Sequence, residues 1–136
     1  MRILPALLTA TLVAMPVVYC QAQGFDGKRP FLCSTIDVAS CSPGESCTRE
    51  SAEADNVPQF FMIDVGKASV SATDTGATTR VSKIERIERL PQLLRLSGGD
   101  GDTGWIATIG QESGKMSLAV IRDQVGFVIF GACLLQ

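Results

Sequence analysis

Apolar and polar positions alternate with a period of two along most of the chain, in short runs separated by turn residues. This is the pattern of half-buried β-strands. The last run is the most apolar. In Val125-Gly126-Phe127-Val128-Ile129-Phe130-Gly131-Ala132-Cys133, one face carries Val125, Phe127, Ile129 and Cys133, and the other Val128, Phe130 and Ala132. Bounded by Arg122-Asp123-Gln124, it reads as a strand buried on both faces that closes the fold.

Upstream, Phe31 to Val38 reads as the first strand, with Phe31, Cys33 and Thr35 on one face and Leu32, Ser34, Ile36 and Val38 on the other. Gln23 to Pro30 reads as a loose polar arm. Residues 39–56 read as the longest irregular segment, with one helical turn at Ser51-Ala52-Glu53-Ala54. A hairpin follows, Gln59–Val65 turning at Gly66-Lys67 into Ala68–Ala72, and then a polar loop over 73–79. The Phe60-Phe61 pair puts one ring inside and one outside.

The stretch from Arg80 to Gly98 is locally ambiguous. Ser82-Lys83-Ile84-Glu85 resembles a capping box and Ile84/Ile87 has helical spacing. Pro91 stops any helix early, and the β context on both sides favours two strands joined at Leu90-Pro91-Gln92. Ser97 to Gly104 reads as a turn-rich loop. Trp105–Ile109, Lys115–Arg122 and the terminal run then form a meander. The whole is all-β, a small antiparallel meander barrel or sandwich of about eight strands. The barrel is preferred because closure removes exposed edges.

The first residues change the picture of where this domain works. Met1-Arg2, the apolar run Ile3–Val18 and the small residues at Cys20 and Ala22 read as a signal peptide over 1–22 and a mature single β domain over 23–136. Sixteen residues broken by Pro5 and Pro16 are short of the ~20 that span a bilayer. Lipidation at Cys20 is the competing reading, disfavoured by the bulky Tyr19 before it. Removing 22 of the 136 residues leaves 114, enough for one core. Losing Arg2 takes the 12 basic residues to 11 against 14 acidic ones, a net charge of −3. With the basic residues scattered, nucleic acid is not an expected partner, and membrane contact is expected only through the signal peptide.

Cleavage leaves Cys33, Cys41, Cys47 and Cys133, which in an exported chain read as two disulfides. Three connectivities are possible. The turn-forming spacer Ser42-Pro43-Gly44-Glu45-Ser46 favours Cys41–Cys47, leaving Cys33–Cys133. The expected location is periplasmic or secreted.

The chain has no histidine, so Ser-His-Asp, Cys-His and imidazole-ligand arrangements are impossible. Gly110-Gln111-Glu112-Ser113-Gly114 is not a nucleophile elbow, and Gly114-Lys115-Met116 is not a P-loop. The Gly-Asp stretch 98–104 fails as an EF-hand and as a calcium repeat. No catalytic residue, metal or cofactor is expected. Trp105, the single tryptophan, reads first as a core anchor and second as a stacking platform. With Phe60, Asp100 and Asp102 it makes up the candidate ligand or partner contacts.

The Cys33…Cys41…Cys47 cluster, Val57-Pro58-Gln59-Phe60, Trp105…Gly114-Lys115-Met116 and the Phe130-Gly131-Ala132-Cys133 ending together resemble a group of small exported bacterial proteins. These motifs are structural, so the resemblance implies no site. In size and cysteine economy the chain is also similar to periplasmic lysozyme inhibitors of the small eight-stranded barrel type. Their inhibitory loop is not matched residue by residue, so inhibition is implied by analogy of fold.

Three functional readings follow: a non-enzymatic envelope interaction module, an inhibitor of an extracytoplasmic hydrolase, and a carrier of a small apolar ligand. The partner would be an unknown envelope protein or a small ligand. The interior discriminates between them. A carrier needs an apolar cavity of roughly 300 Å³ or more, whereas an interaction module is filled solid.

Overall fold

A computed structural model describes residues 24–72 and 80–136. The expected signal peptide, including Cys20, and the expected loop over 73–79 lie outside the described residues.

Among the described residues all regular structure is β: β1 (Phe31–Cys41), β2 (Thr48–Glu50), β3 (Phe60–Asp64), β4 (Ser69–Ala72), β5 (Val81–Arg89), β6 (Leu93–Asp100), β7 (Thr103–Gly110), β8 (Lys115–Arg122) and β9 (Val125–Leu135). Each strand from β3 to β9 pairs with the next, and β9 returns to β1, which also pairs with β3. Eight antiparallel strands therefore close into a barrel, and β2 is an extra strand on β1. The ambiguous stretch is two strands, β5 and β6.

The inner face follows the alternation. Phe31, Cys33, Val38, Leu94, Leu96, Ile109 and Ile129 are fully buried. Cys33 and Cys133 face each other in register on β1 and β9 and are disulfide-bonded, and Cys41 is bonded to Cys47. Two such pairs fit an oxidising extracytoplasmic compartment.

Several local expectations are corrected. The terminal strand is buried on one face only: Ile129 and Cys133 point into the core, while Phe130 is 42% exposed and Leu134 71%. A closed barrel has one interior, and no second layer covers the outside among the described residues. The first strand does not keep its parity either. Thr35 pairs with Gly131 and Asp37 with Phe130, so Ile36 is an extra residue in a β-bulge. Ile36 is 71% exposed and Val38, assigned by alternation to the same face, is fully buried. Thr35 at the bulge is held by Pro58 and Gln59. Its Oγ1 donates to the Pro58 carbonyl (2.8 Å), and Gln59 Nε2 donates to the Thr35 carbonyl (2.8 Å). Gly131 makes the bulge possible, since a Cβ there would lie 2.3 Å from the Ser34 carbonyl oxygen.

Residues 39–56 are more ordered than the expected loop. β1 runs on to Cys41, and β2 folds back on it with Val38 opposite Glu50 and Ser40 opposite Thr48. After β2, Ala52 turns into the core. Residues 97–104 are likewise mostly strand, with Gly101 and Asp102 between Asp100 and its partner Thr103.

The arm over 24–30 is not loose. Phe25 donates its N–H to the Gln111 carbonyl (2.9 Å) and packs edge-on against Phe31, with ring centres 5.8 Å apart. Arg89 Nε reaches the Asp26 carbonyl (3.1 Å). The arm thus lies across one end of the barrel and closes it. The outer wall of β5 and β6 carries Lys83, Glu85, Arg86 and Arg95.

Candidate functional site

Among the described residues the other end is uncovered. The strand ends there bring together the β2–β3 connection, the start of β5, the β6–β7 turn and the β8–β9 turn around a cavity of about 520 Å³. A deeper recess of about 110 Å³ shares its walls at Phe61, Val70, Ser82, Trp105, Leu118 and Val120. In the closed half Phe31, Leu94, Leu96 and Ile109 are fully buried and fill the interior.

Trp105 organises the wall. It sits directly opposite Gly98 on β6, and its indole Nε1 donates to Ser82 Oγ on β5 at 2.8 Å. The ring therefore spans three strands over a position without a side chain. A Cβ at Gly98 would approach it to 2.7 Å. The hydrogen bond satisfies the one polar atom of an otherwise apolar ring. Phe61, Phe127 and Ile129 line other parts of the wall.

The rim is polar. Asp100, Thr103 and Arg122 form one row across β6, β7 and β8, since Asp100 pairs with Thr103 and Thr103 with Arg122. At ~4.8 Å per strand the backbones of Asp100 and Arg122 stand about 10 Å apart. Arg80 and Asp55 also border the opening. Neither arginine makes an ion pair among the described residues. One carboxylate oxygen of Asp55 is shielded from solvent without a hydrogen-bond partner, the only such side-chain atom among the described residues.

Of the four sequence-derived contact candidates, the structure gathers two. Trp105 and Asp100 line the cavity. Phe60 is on the outer face of β3, opposite Ser34, and Asp102 sits exposed in the β6–β7 turn outside the cavity wall. Sequence reasoning missed Arg80, Arg122, Phe127 and the Asp55–Pro58 segment. One signal was present: on β8 the inward series Met116, Leu118, Val120 continues to Arg122, and a charge at an inward position marks the end of a core. No group of three or more Cys, Asp or Glu able to hold a metal occurs among the described residues.

The site thus defines a class: an apolar-walled cup with a charged rim at one end of a disulfide-stapled barrel. Comparison of the chain with protein-family models, curated proteins and solved structures gave no match.

Proposed function

We propose that this is an exported, non-enzymatic binding module that holds a small apolar or amphiphilic ligand in the open end of the barrel. The observation that carries the reading is the cavity of about 520 Å³, within the ~300–1,000 Å³ of small-ligand sites. Its wall offers an aromatic surface at Trp105 and Phe127, and its rim offers charges of both signs for a polar head. An exported carrier of this kind works in the periplasm or outside the cell.

Trp105 is the single tryptophan, so intrinsic fluorescence reads the cavity wall and nothing else. Titration with a polyene fatty acid is expected to quench Trp105 emission and transfer energy to the probe at one site per chain. Native mass spectrometry of the envelope-purified protein is expected to find a bound small molecule. Unchanged emission together with a ligand-free mass sinks the reading.

A second reading, an inhibitor of an extracytoplasmic hydrolase, is supported by the residue 43–46 segment. It is exposed and clamped by Cys41–Cys47, as a rigid inserting loop needs to be. Assay of lytic enzymes against the protein and a Pro43→Asp variant separates the two.

A further inference from the structure

The barrel wall has a gap in its hydrogen bonding, away from the cavity. β5 has nine residues and its neighbour β4 four, so their pairing ends at Lys83 opposite Ser69. One further bond runs from the Ile84 N–H to the Ala68 carbonyl (2.8 Å). Beyond it, no strand among the described residues pairs with Glu85-Arg86-Ile87-Glu88-Arg89 on that side. The opposite side of this stretch pairs with β6, and the bond from the Leu90 N–H to the Leu93 carbonyl (2.9 Å) closes that hairpin. Counting back from Leu90, Glu88 and Arg86 bond across to β6, while Arg89 and Ile87 turn their N–H and C=O to the unpaired edge. Charged side chains commonly keep such an edge from meeting another. Here their order does the reverse, because the five residues read acid, base, Ile87, acid, base.

We infer that this edge joins a second copy of the chain in an antiparallel strand pair, two-fold about Ile87. The inference is separate from the ligand reading of the cavity. Three observations name the occupant. The first is the charge order: run antiparallel to itself, the segment sets Glu85 opposite Arg89 of the copy and Arg86 opposite Glu88, and the symmetry repeats both pairs. Opposite charges in cross-strand register attract, so a surface that meets itself here meets its complement. The second is that Glu85 and Arg89 make no ion pair among the described residues; Arg89 uses its Nε on the Asp26 carbonyl (3.1 Å). Arg86 and Glu88 are already side by side (2.9 Å), and Arg95, which also reaches Glu88 (3.1 Å), is on β6 and stays one strand away from the joint. The third is length. The unpaired stretch is bounded by Ala68, and the strand of the copy turns away at Leu90-Pro91-Gln92 before it reaches that residue. Ile87 of each copy then exchanges N–H···O bonds with the other, which satisfies the backbone groups the barrel leaves unpaired. An unrelated extended peptide would find the same backbone groups without the reversed charge order. Five residues a side bury less than the ~1,200 Å² of a stable complex, so the dimer is weak and salt-sensitive.

The test is sedimentation velocity of the oxidised protein over a concentration series rising to millimolar, in low and in high salt. The expected result is a shift toward two chain masses, with association severalfold weaker in high salt. Arg86→Glu with Arg89→Glu makes the segment wholly acidic, and Glu85→Arg with Glu88→Arg makes it wholly basic. Each double variant alone should keep one chain mass, and an equimolar mixture of the two should recover the two-chain mass. Glu112→Lys, in the β7–β8 turn, changes the net charge away from the edge and should associate as the parent does. Trp105 emission monitors the fold of each variant. If a double variant does not fold, Ile87→Pro takes its place: the Ile87 N–H faces the unpaired edge, so its loss spares the β6 pairing and should abolish the shift. A single-chain mass of the parent throughout overturns the proposal. So does a dimer that survives the double variants or Ile87→Pro, or a mixture of folded double variants that stays at one chain mass.

Discussion

Gly98 and Trp105 are direct partners across β6 and β7, and the missing side chain of the first is the space that the ring of the second occupies. A methyl at Gly98 would meet the Lys83 carbonyl oxygen at 2.2 Å as well as the indole at 2.7 Å, and backbone cannot yield as a side chain can. Gly98→Ala is therefore expected to destabilise the fold by about 1–3 kcal/mol, the range for overpacking, and to alter Trp105 emission in the native baseline. Urea unfolding followed at the tryptophan checks both.

The bulge at Ile36 separates changes that the first strand tolerates from one that it does not. Ile36→Ser changes an exposed side chain and should stay within about 0.5 kcal/mol of the parent. Deleting Ile36 removes the extra residue and leaves Asp37 and Val38 in their register with Phe130 and Ile129, so Val38 stays in the core and unfolding should remain cooperative. Inserting one alanine between Asp37 and Val38 turns Val38 to water and should leave little cooperative unfolding, read by calorimetry.

The two disulfides should differ in worth. Cys33–Cys133 spans 100 residues and Cys41–Cys47 spans 6. The chain-entropy account assigns the first ~4.7 kcal/mol and the second about 2. Double alanine variants of each pair, compared in guanidinium, should rank in that order.

Filling the cup should block ligand without harming the fold. Val120 is half-buried and borders both the cavity and its recess. Val120→Phe is expected to weaken fatty-acid binding at least tenfold, with an unchanged unfolding midpoint. Ser117→Phe, on the outer face of the same strand, should bind as the parent does.

Acid sensitivity has a local source at the β3–β4 turn. The Lys67 backbone N–H donates to Asp64 (3.0 Å) and its ammonium adds an ion pair (3.2 Å), which hold the Asp64 carboxyl below its ordinary value of 3.8. A folded-state value below the unfolded one means the contribution is complete above pH ~4 and is lost as pH falls through the lowered value. The parent should therefore lose stability across that window, and Asp64→Asn should show a shallower acid slope from a lower neutral plateau.

Much of the architecture was legible along the chain. Alternation in Lys115–Arg122 and Val125–Cys133 and Pro91 were enough to place hairpins and favour an all-β barrel, and the Ser42–Ser46 spacer favoured the disulfide pairs that the structure shows. The misleading signal in Ser82–Ile87 has a physical cause. A bulge between Ile84 and Arg86 puts Ile84 and Ile87 on one face three residues apart, which imitates a helical period. The same device misassigned Val38. In the site, Trp105 and Asp100 were legible as unusual residues, but not as neighbours of Arg80 and Arg122.

The amino-acid order alone determined the all-β class, most of the hairpins and a favoured cysteine pairing, because each depends on neighbours a few residues apart. Only the tertiary structure decided which faces look inward beyond each bulge, that one end is plugged by Phe25 while the other holds the cavity beside Trp105, and that β7 to β9 turn apolar side chains outward. Those outcomes depend on how eight strands stagger as the sheet closes, and a single inserted residue such as Ile36 reverses everything downstream of it on its strand.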